Sequence, residues 1–224
     1  MEKLGFTRED LAVFGIDSIE KREAVVREHL RPRLEAIAYR FAPALSRLAG
    51  VELSAVIQVE HEAGPRARAI ASFIRTGGDR ISEPYFSFVV TRGGVHARLV
   101  VERQFVNRAA IAARLSRAAT AIAKEFRDVD LRCYDDWDGY GIPALTSASK
   151  APFWKEVAER LGKASGSLDI GAGWPEARAV LLSHEDLLPT YRTLLPLYRR
   201  IHEGLVVGAA PDDRRRITDA GRVG

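Results

Sequence analysis

The sequence predicts an α+β fold, a two-layer domain in which a mainly antiparallel sheet carries helices packed on one face. Three observations lead there. Apolar residues recur at helical spacing up to Leu48; the period then drops to two across residues 52–105; after that, helical and extended stretches mix. Helices followed by a run of short strands and then further helices describe an antiparallel sheet with segregated helices, not a doubly wound parallel one.

Each element has its own grounds. Thr7 suits the cap of a short helix, TREDLAVF, after which the chain turns between Gly15 and Asp17. From Ser18 the pattern is helical to about Leu30, where Pro32 predicts a break or kink. Leu34, Ile37, Ala38, Phe41, Leu45 and Leu48 then form one stripe, and Gly50 stands where a left-handed stop is wanted. In ELSAVIQVEH, Leu53, Ala55, Ile57 and Val59 alternate with Ser54, Val56, Gln58 and Glu60. AIASFIRT, YFSFVVT and VHARLVVERQF continue as strands, with a hairpin at Arg92-Gly93-Gly94, to make a four-stranded meander.

Beyond the meander, Asn107 is placed to cap a helix that turns Ile111, Leu115, Ala118 and Ile122 inward. A fifth strand is expected in DVDLRCY and a short one in SLDIGAG. Ser149 is expected to cap APFWKEVAERL, with Pro152 in its first turn. Ser183 and Asp186 read as a capping box for a helix aligning Leu187, Tyr191, Leu194, Tyr198 and Ile201, which Pro189 and Pro196 should kink or interrupt. One domain is expected over residues 1–204, with 205–224 a polar, disordered tail.

Composition narrows the function classes. Of 224 residues 46% are hydrophobic and 29% charged, which suits a globular chain with a sizeable core. The formal charge of +4 is spread along the chain, with no basic stripe, so nucleic-acid binding is unlikely from the sequence. A single cysteine, Cys133, rules out an internal disulfide and disfavours a thiolate metal site. The opening MEKLGFTRED has no apolar core of a signal peptide, and no apolar run is long enough to span a membrane. A soluble cytoplasmic protein is expected.

The stretch FTREDLAVFGIDSIEKREAVVREHLRPRLEAIAYRFAPALSRLAG resembles the opening of the YktB-like family of uncharacterised bacterial proteins, a domain of unknown function. FAPALSRLAG, VHARLVVE and LLPLY are also similar. The resemblance implies a two-layer α/β domain, with a topology grouped with the catalytic domains of biotin ligases and class II synthetases. It implies no activity and no catalytic residues. The chain departs from the family pattern by continuing past Tyr198 and by the acidic loop CYDDWDGYG.

That loop is the most conspicuous polar cluster. Asp135, Asp136 and Asp138 do not fall in the register of an EF-hand, so a plain turn through Gly139 and Gly141 is expected, with no metal bound. Nor is there a nucleophile elbow, a phosphate-binding loop or a zinc-binding histidine pair, so no cofactor and no catalytic residue is assigned. The better candidate is the polar side of the sheet. There Gln58 and Glu60 on the first strand, and His96, Arg98, Glu102 and Gln104 on the fourth, alternate with apolar neighbours. Ser72 and Ser87 supply small polar positions between them. His61, just after the first strand, adds an imidazole able to act near neutral pH. Such a face suits a small anionic ligand or a protein partner, with Arg98 as an exposed charge. The alternatives are an enzyme acting on a nucleotide or adenylate, and nucleic-acid binding through arginines. Antiparallel sheets also leave one face to water without any function.

Overall fold

The computed structural model describes residues 3–60, 68–78, 80–129, 131–133, 142–143 and 148–203. Helix α1 (Arg8–Ala12) opens on a reciprocal cap: Thr7 N–H donates to the Asp10 carboxylate at 2.7 Å, and Asp10 N–H donates to Thr7 Oγ1 at 3.3 Å. Arg33 closes the same group with a 2.8 Å ion pair to Asp10. Ser18 caps α2 (Ile19–Val25) through Lys21 N–H.

Pro32 does not break the chain. A π-helical turn over Val26–Leu30 joins α2 to α3 (Arg31–Ala49), and Pro32 falls in the first turn of α3. The wider turn absorbs the mismatch that a proline ring imposes on regular α-helix. Gly50, at φ 75°, ends α3 in the left-handed conformation. Leu34, Ile37, Ala38, Phe41 and Leu45 are buried along its inner stripe, with Leu48 packed at the margin.

Strands β1 (Leu53–Glu60), β2 (Arg68–Arg75), β3 (Tyr85–Thr91) and β4 (Gly94–Val101) form the expected antiparallel meander. After α4 (Arg108–Glu125) come two short strands, β5 (Arg132–Cys133) and β6 (Ile142–Pro143), then α5 (Ala151–Gly162). The SLDIGAG strand is not a short accessory. As β7 (Leu168–Pro175) it pairs with β4 over eight positions and gives the order β1-β2-β3-β4-β7-β5-β6. A brief helix, α6 (Glu176–Ala179), precedes α7 (His184–His202).

Asn107 occupies the cap position of α4 without a side-chain bond to the helix, and Lys150, not Ser149, is the cap residue of α5. Asp186 folds back on Ser183, accepting its N–H and its hydroxyl at 2.7 Å each. Pro189 and Pro196 leave α7 a single helix of 19 residues. Both are exposed, so the carbonyls that lose partners face water, and the helix can curve around the core instead of breaking.

The core lies between the sheet and α3, α4, α5 and α7. Tyr191 of α7 anchors it: its hydroxyl donates to Ser87 O at 2.9 Å while its ring meets Phe41, Phe73 and Phe86 edge-on. Phe86 also stacks on Tyr198 at 4.5 Å. Farther along, Trp154 of α5 packs against Phe126 and donates to Ala148 O at 2.8 Å. The α+β, antiparallel reading holds. No helix among the described residues is long and apolar enough to cross a membrane.

Candidate functional site

Strand parity places the site. On β2, β3 and β4 the inner positions Ala71, Phe73, Phe86, Phe88, Ala97 and Leu99 join the core under the helices. The other parity faces away from them, and register lines it up in rows. One row runs Val56, Ser72, Ser87, Arg98, Gly171, Arg132 across six strands. The next runs Gln58, Ile70, Val89, His96, Gly173. A third sets Tyr85, Val100 and Asp169 side by side.

This second face is not wet at its centre. Every residue of β3 and β4 is buried, on both faces. Arg98 is 0% exposed, so the sequence-based picture of an exposed guanidinium does not hold. A buried charge demands a partner, and Arg98 Nη1 meets Asp169 Oδ2 at 2.9 Å. Burial holds the Asp169 carboxyl above its ordinary value, against the pull of Arg98 and Arg68. His96 is pushed well below its ordinary value, by burial first and then by the cations Arg98 and Arg132. It is therefore a neutral imidazole at neutral pH, with Thr91 Oγ1 3.4 Å from its Nε2. Arg98 and Arg132 thus act on the neutral histidine, and Arg98 and Arg68 on the Asp169 carboxylate.

Beside that centre stands a second polar unit. Tyr85 donates to Glu102 at 2.5 Å, and Arg80 reaches both, Nε to the Tyr85 hydroxyl at 2.9 Å and Nη2 to Glu102 at 2.7 Å. Burial and the Glu102 charge push the Tyr85 hydroxyl far above its usual range, which keeps it a proton donor. Glu102 also raises Asp169, so the two units sense each other.

Of the residues singled out from the sequence, the fold brings His96 and Arg98 together, with Ser72 and Ser87 in the Arg98 row and Glu102 at its margin. Gln58 is exposed on the outermost strand, separated from His96 by Ile70 and Val89. Gln104 lies beyond the end of β4, exposed in a turn. Glu60 ends β1 at the outer edge, and His61 and the CYDDWDGYG positions after Cys133 lie outside the described residues. Asp169, Arg132, Arg68, Arg80 and Tyr85 were not anticipated. One signal was available: in LDIGAG, Asp169, Gly171 and Gly173 share the parity opposite Leu168 and Ile170. Glycines inside a strand mark close backbone approach. A Cβ on Gly171 would lie 2.0 Å from Ala97 O, so no other residue fits there without moving β4. Among the described residues no cluster of three or more His, Cys, Asp or Glu is arranged to hold a metal ion.

No known family profile matches the chain. It is 40% identical over 53 residues to a UPF0637 protein of Bacillus licheniformis, and equally to one of Bacillus velezensis. The chain is a distant relative of the UPF0637 proteins. The matched stretch is 24% of this chain, and the chain spans about a quarter of the length of these curated relatives. The relationship agrees with the YktB-like resemblance of the N-terminal half and carries no activity with it.

Proposed function

We propose that the second face of the sheet binds a small anionic ligand, with Arg98 and Arg132 as its charge partners and Ser72, Ser87 and His96 beside them. The observation that supports this reading most is the pair of buried serine hydroxyls, Ser72 and Ser87, in the same row as the fully buried Arg98 and the half-buried Arg132. A guanidinium held away from water attracts a bound anion more strongly than one at the surface, and its planar fork suits a carboxylate or phosphate. The hydroxyls of Ser72 and Ser87, buried in the Arg98 row, have no hydrogen-bond partner among the described residues. An anionic oxygen beside these two hydroxyls accepts from both.

Native mass spectrometry of the purified chain, with thermal melts in phosphate and in small carboxylates, tests it. The parent should carry an anion or melt higher with one. Arg132→Ala, at a half-buried position, and Arg98→Lys, which keeps the charge but loses the fork, should lose that response while staying folded. A parent indifferent to anions, or variants that retain the full response, would overturn the proposal.

A further inference from the structure

From the outer edge of the sheet we infer that the chain forms a two-fold dimer by pairing β1 with β1 of a second copy. β1 ends the strand order, and its outer side pairs with no described strand. Thr76 N–H bonds to Glu52 O, which fixes the phase of the β1–β2 ladder. The N–H and C=O of Ser54, Val56 and Gln58 then point to β2, and those of Ala55, Ile57 and Val59 point outward. Leu53 would be the next outward residue, but its N–H is taken by Ser46 Oγ of α3 at 3.0 Å.

The open edge is therefore three alternate residues centred on Ile57, a self-complementary pattern. An antiparallel copy related by a two-fold axis at Ile57 pairs Ala55 with Val59 of the other copy, Ile57 with Ile57, and Val59 with Ala55, for about six hydrogen bonds. The neighbouring register, about Val56, asks for the Leu53 groups that Ser46 already holds.

Edge strands are normally guarded by lysine, proline, a bulge or short length. β1 runs eight residues in unbroken register with none of these. Beside it, α3 and β1 enclose a groove of about 780 Å³ lined by Ala38, Tyr39, Ala42, Pro43, Ala55 and Ile57. Tyr39 in that groove is 84% exposed, and Val56 on the strand's other side is 36% exposed. The two-fold covers both. It also runs the grooves in opposite directions, and in each groove Arg31 is already paired with Glu35 at 2.9 Å.

Sedimentation and hydrogen exchange on the full chain test the dimer. The chain should sediment at twice its 24.8 kDa mass, and the amides of Ala55, Ile57 and Val59 should gain protection as concentration rises. Ser54, Val56 and Gln58 should be protected at all concentrations. Ile57→Pro removes an N–H that β2 does not use, and Tyr39→Glu places a charge in the groove; each should return the chain to monomer. Should Ile57→Pro fail to fold, Tyr39→Glu, at an exposed position, decides. A chain that is monomeric throughout, or a dimer that survives Tyr39→Glu with the three amides unprotected, overturns the inference.

Discussion

Removing the Arg98 side chain should be among the most damaging single changes in this fold, and its cost should depend on pH. Arg98 is fully buried, its Nη1 lies 2.9 Å from Asp169 Oδ2, and the Asp169 side chain is itself only 15% exposed. Arg98→Ala leaves that carboxylate in a poorly solvated place with less cation to balance it, which typically costs about 3–5 kcal/mol. The carboxyl already stands above its ordinary value because of burial, and losing Arg98 raises it further. The variant can then relieve part of the penalty by taking up a proton as pH falls, so its deficit should shrink between pH 7 and pH 5. Replacing both partners, Arg98→Met with Asp169→Leu, removes the orphaned charge altogether. The pair should show a coupling of about 2 kcal/mol or more, the double variant sitting well above the sum of the singles. Urea melts of the parent, Arg98→Ala, Arg98→Met, Asp169→Leu and the double variant at both pH values measure every part of this. Additive single effects, or an Arg98→Ala protein within about 0.5 kcal/mol of the parent, a change ordinary for surface positions, would refute the buried pair.

Phe41→Ala should cost about 3–5 kcal/mol in a urea melt, since the ring is buried between α3, α7 and the sheet and touches Tyr191 and His184. Gly171→Ala should destabilise by about 1–3 kcal/mol, because its methyl group meets the Ala97 carbonyl and β4 and β7 have to part; an unchanged melting temperature would show that the strands are not that close. His202 is neutral in the fold, its pKa lowered to about 4 by burial, whereas unfolding returns it to its ordinary 6.5. The unfolded chain thus binds more protons between those values, and stability should fall by about 3 kcal/mol as pH drops from 6.5 towards 4. His202→Leu should flatten that slope, as followed by thermal melts across the same range.

Much of the architecture was readable because local signals and the global fold agree. Gly50 ends α3 where the stripe ends, and Thr7 with Asp10 starts α1. The change from helical spacing to alternation falls at Leu53, where β1 begins. The prolines misled because the rule applied to them is local. Pro189 and Pro196 forbid a hydrogen bond, but an exposed carbonyl loses little when water replaces that bond. The weight of β7 was hidden for a different reason. Two glycines make SLDIGAG look like a fading strand, when Gly171 is what lets it lie against β4 in the middle of the sheet.

The site was half legible for a related reason. Alternation on β4 separates His96 and Arg98 from Ala97 and Leu99, and that parity is correct. It carries no information on whether the polar parity faces water. Ile70, Ile74, Val89 and Val100 on that same parity were the available sign that it does not, since a solvated face has little use for them. Asp169, the residue that makes Arg98 tolerable there, lies 71 positions away in sequence, and only the β4–β7 pairing brings it alongside.

Stability alone gives no reason for charges at this depth. Exchanging a buried ion pair for well-packed apolar residues is often neutral or stabilising by about 1–4 kcal/mol. The face already carries isoleucine and valine in neighbouring rows, so an apolar centre lay within the same pattern. Placing Arg98 there, with Arg132 acting on His96 and Arg68 on Asp169, takes charge out of water at a cost in desolvation. Recognition of an anion does supply a reason, because a guanidinium shielded from water acts on a bound charge far more strongly than one at the surface. The Arg98→Met, Asp169→Leu protein therefore separates the two accounts. It should melt close to the parent or above it, and respond to no anion. An anion response that survives in so stable a double variant would mean the charges serve the fold in some way the distances do not show.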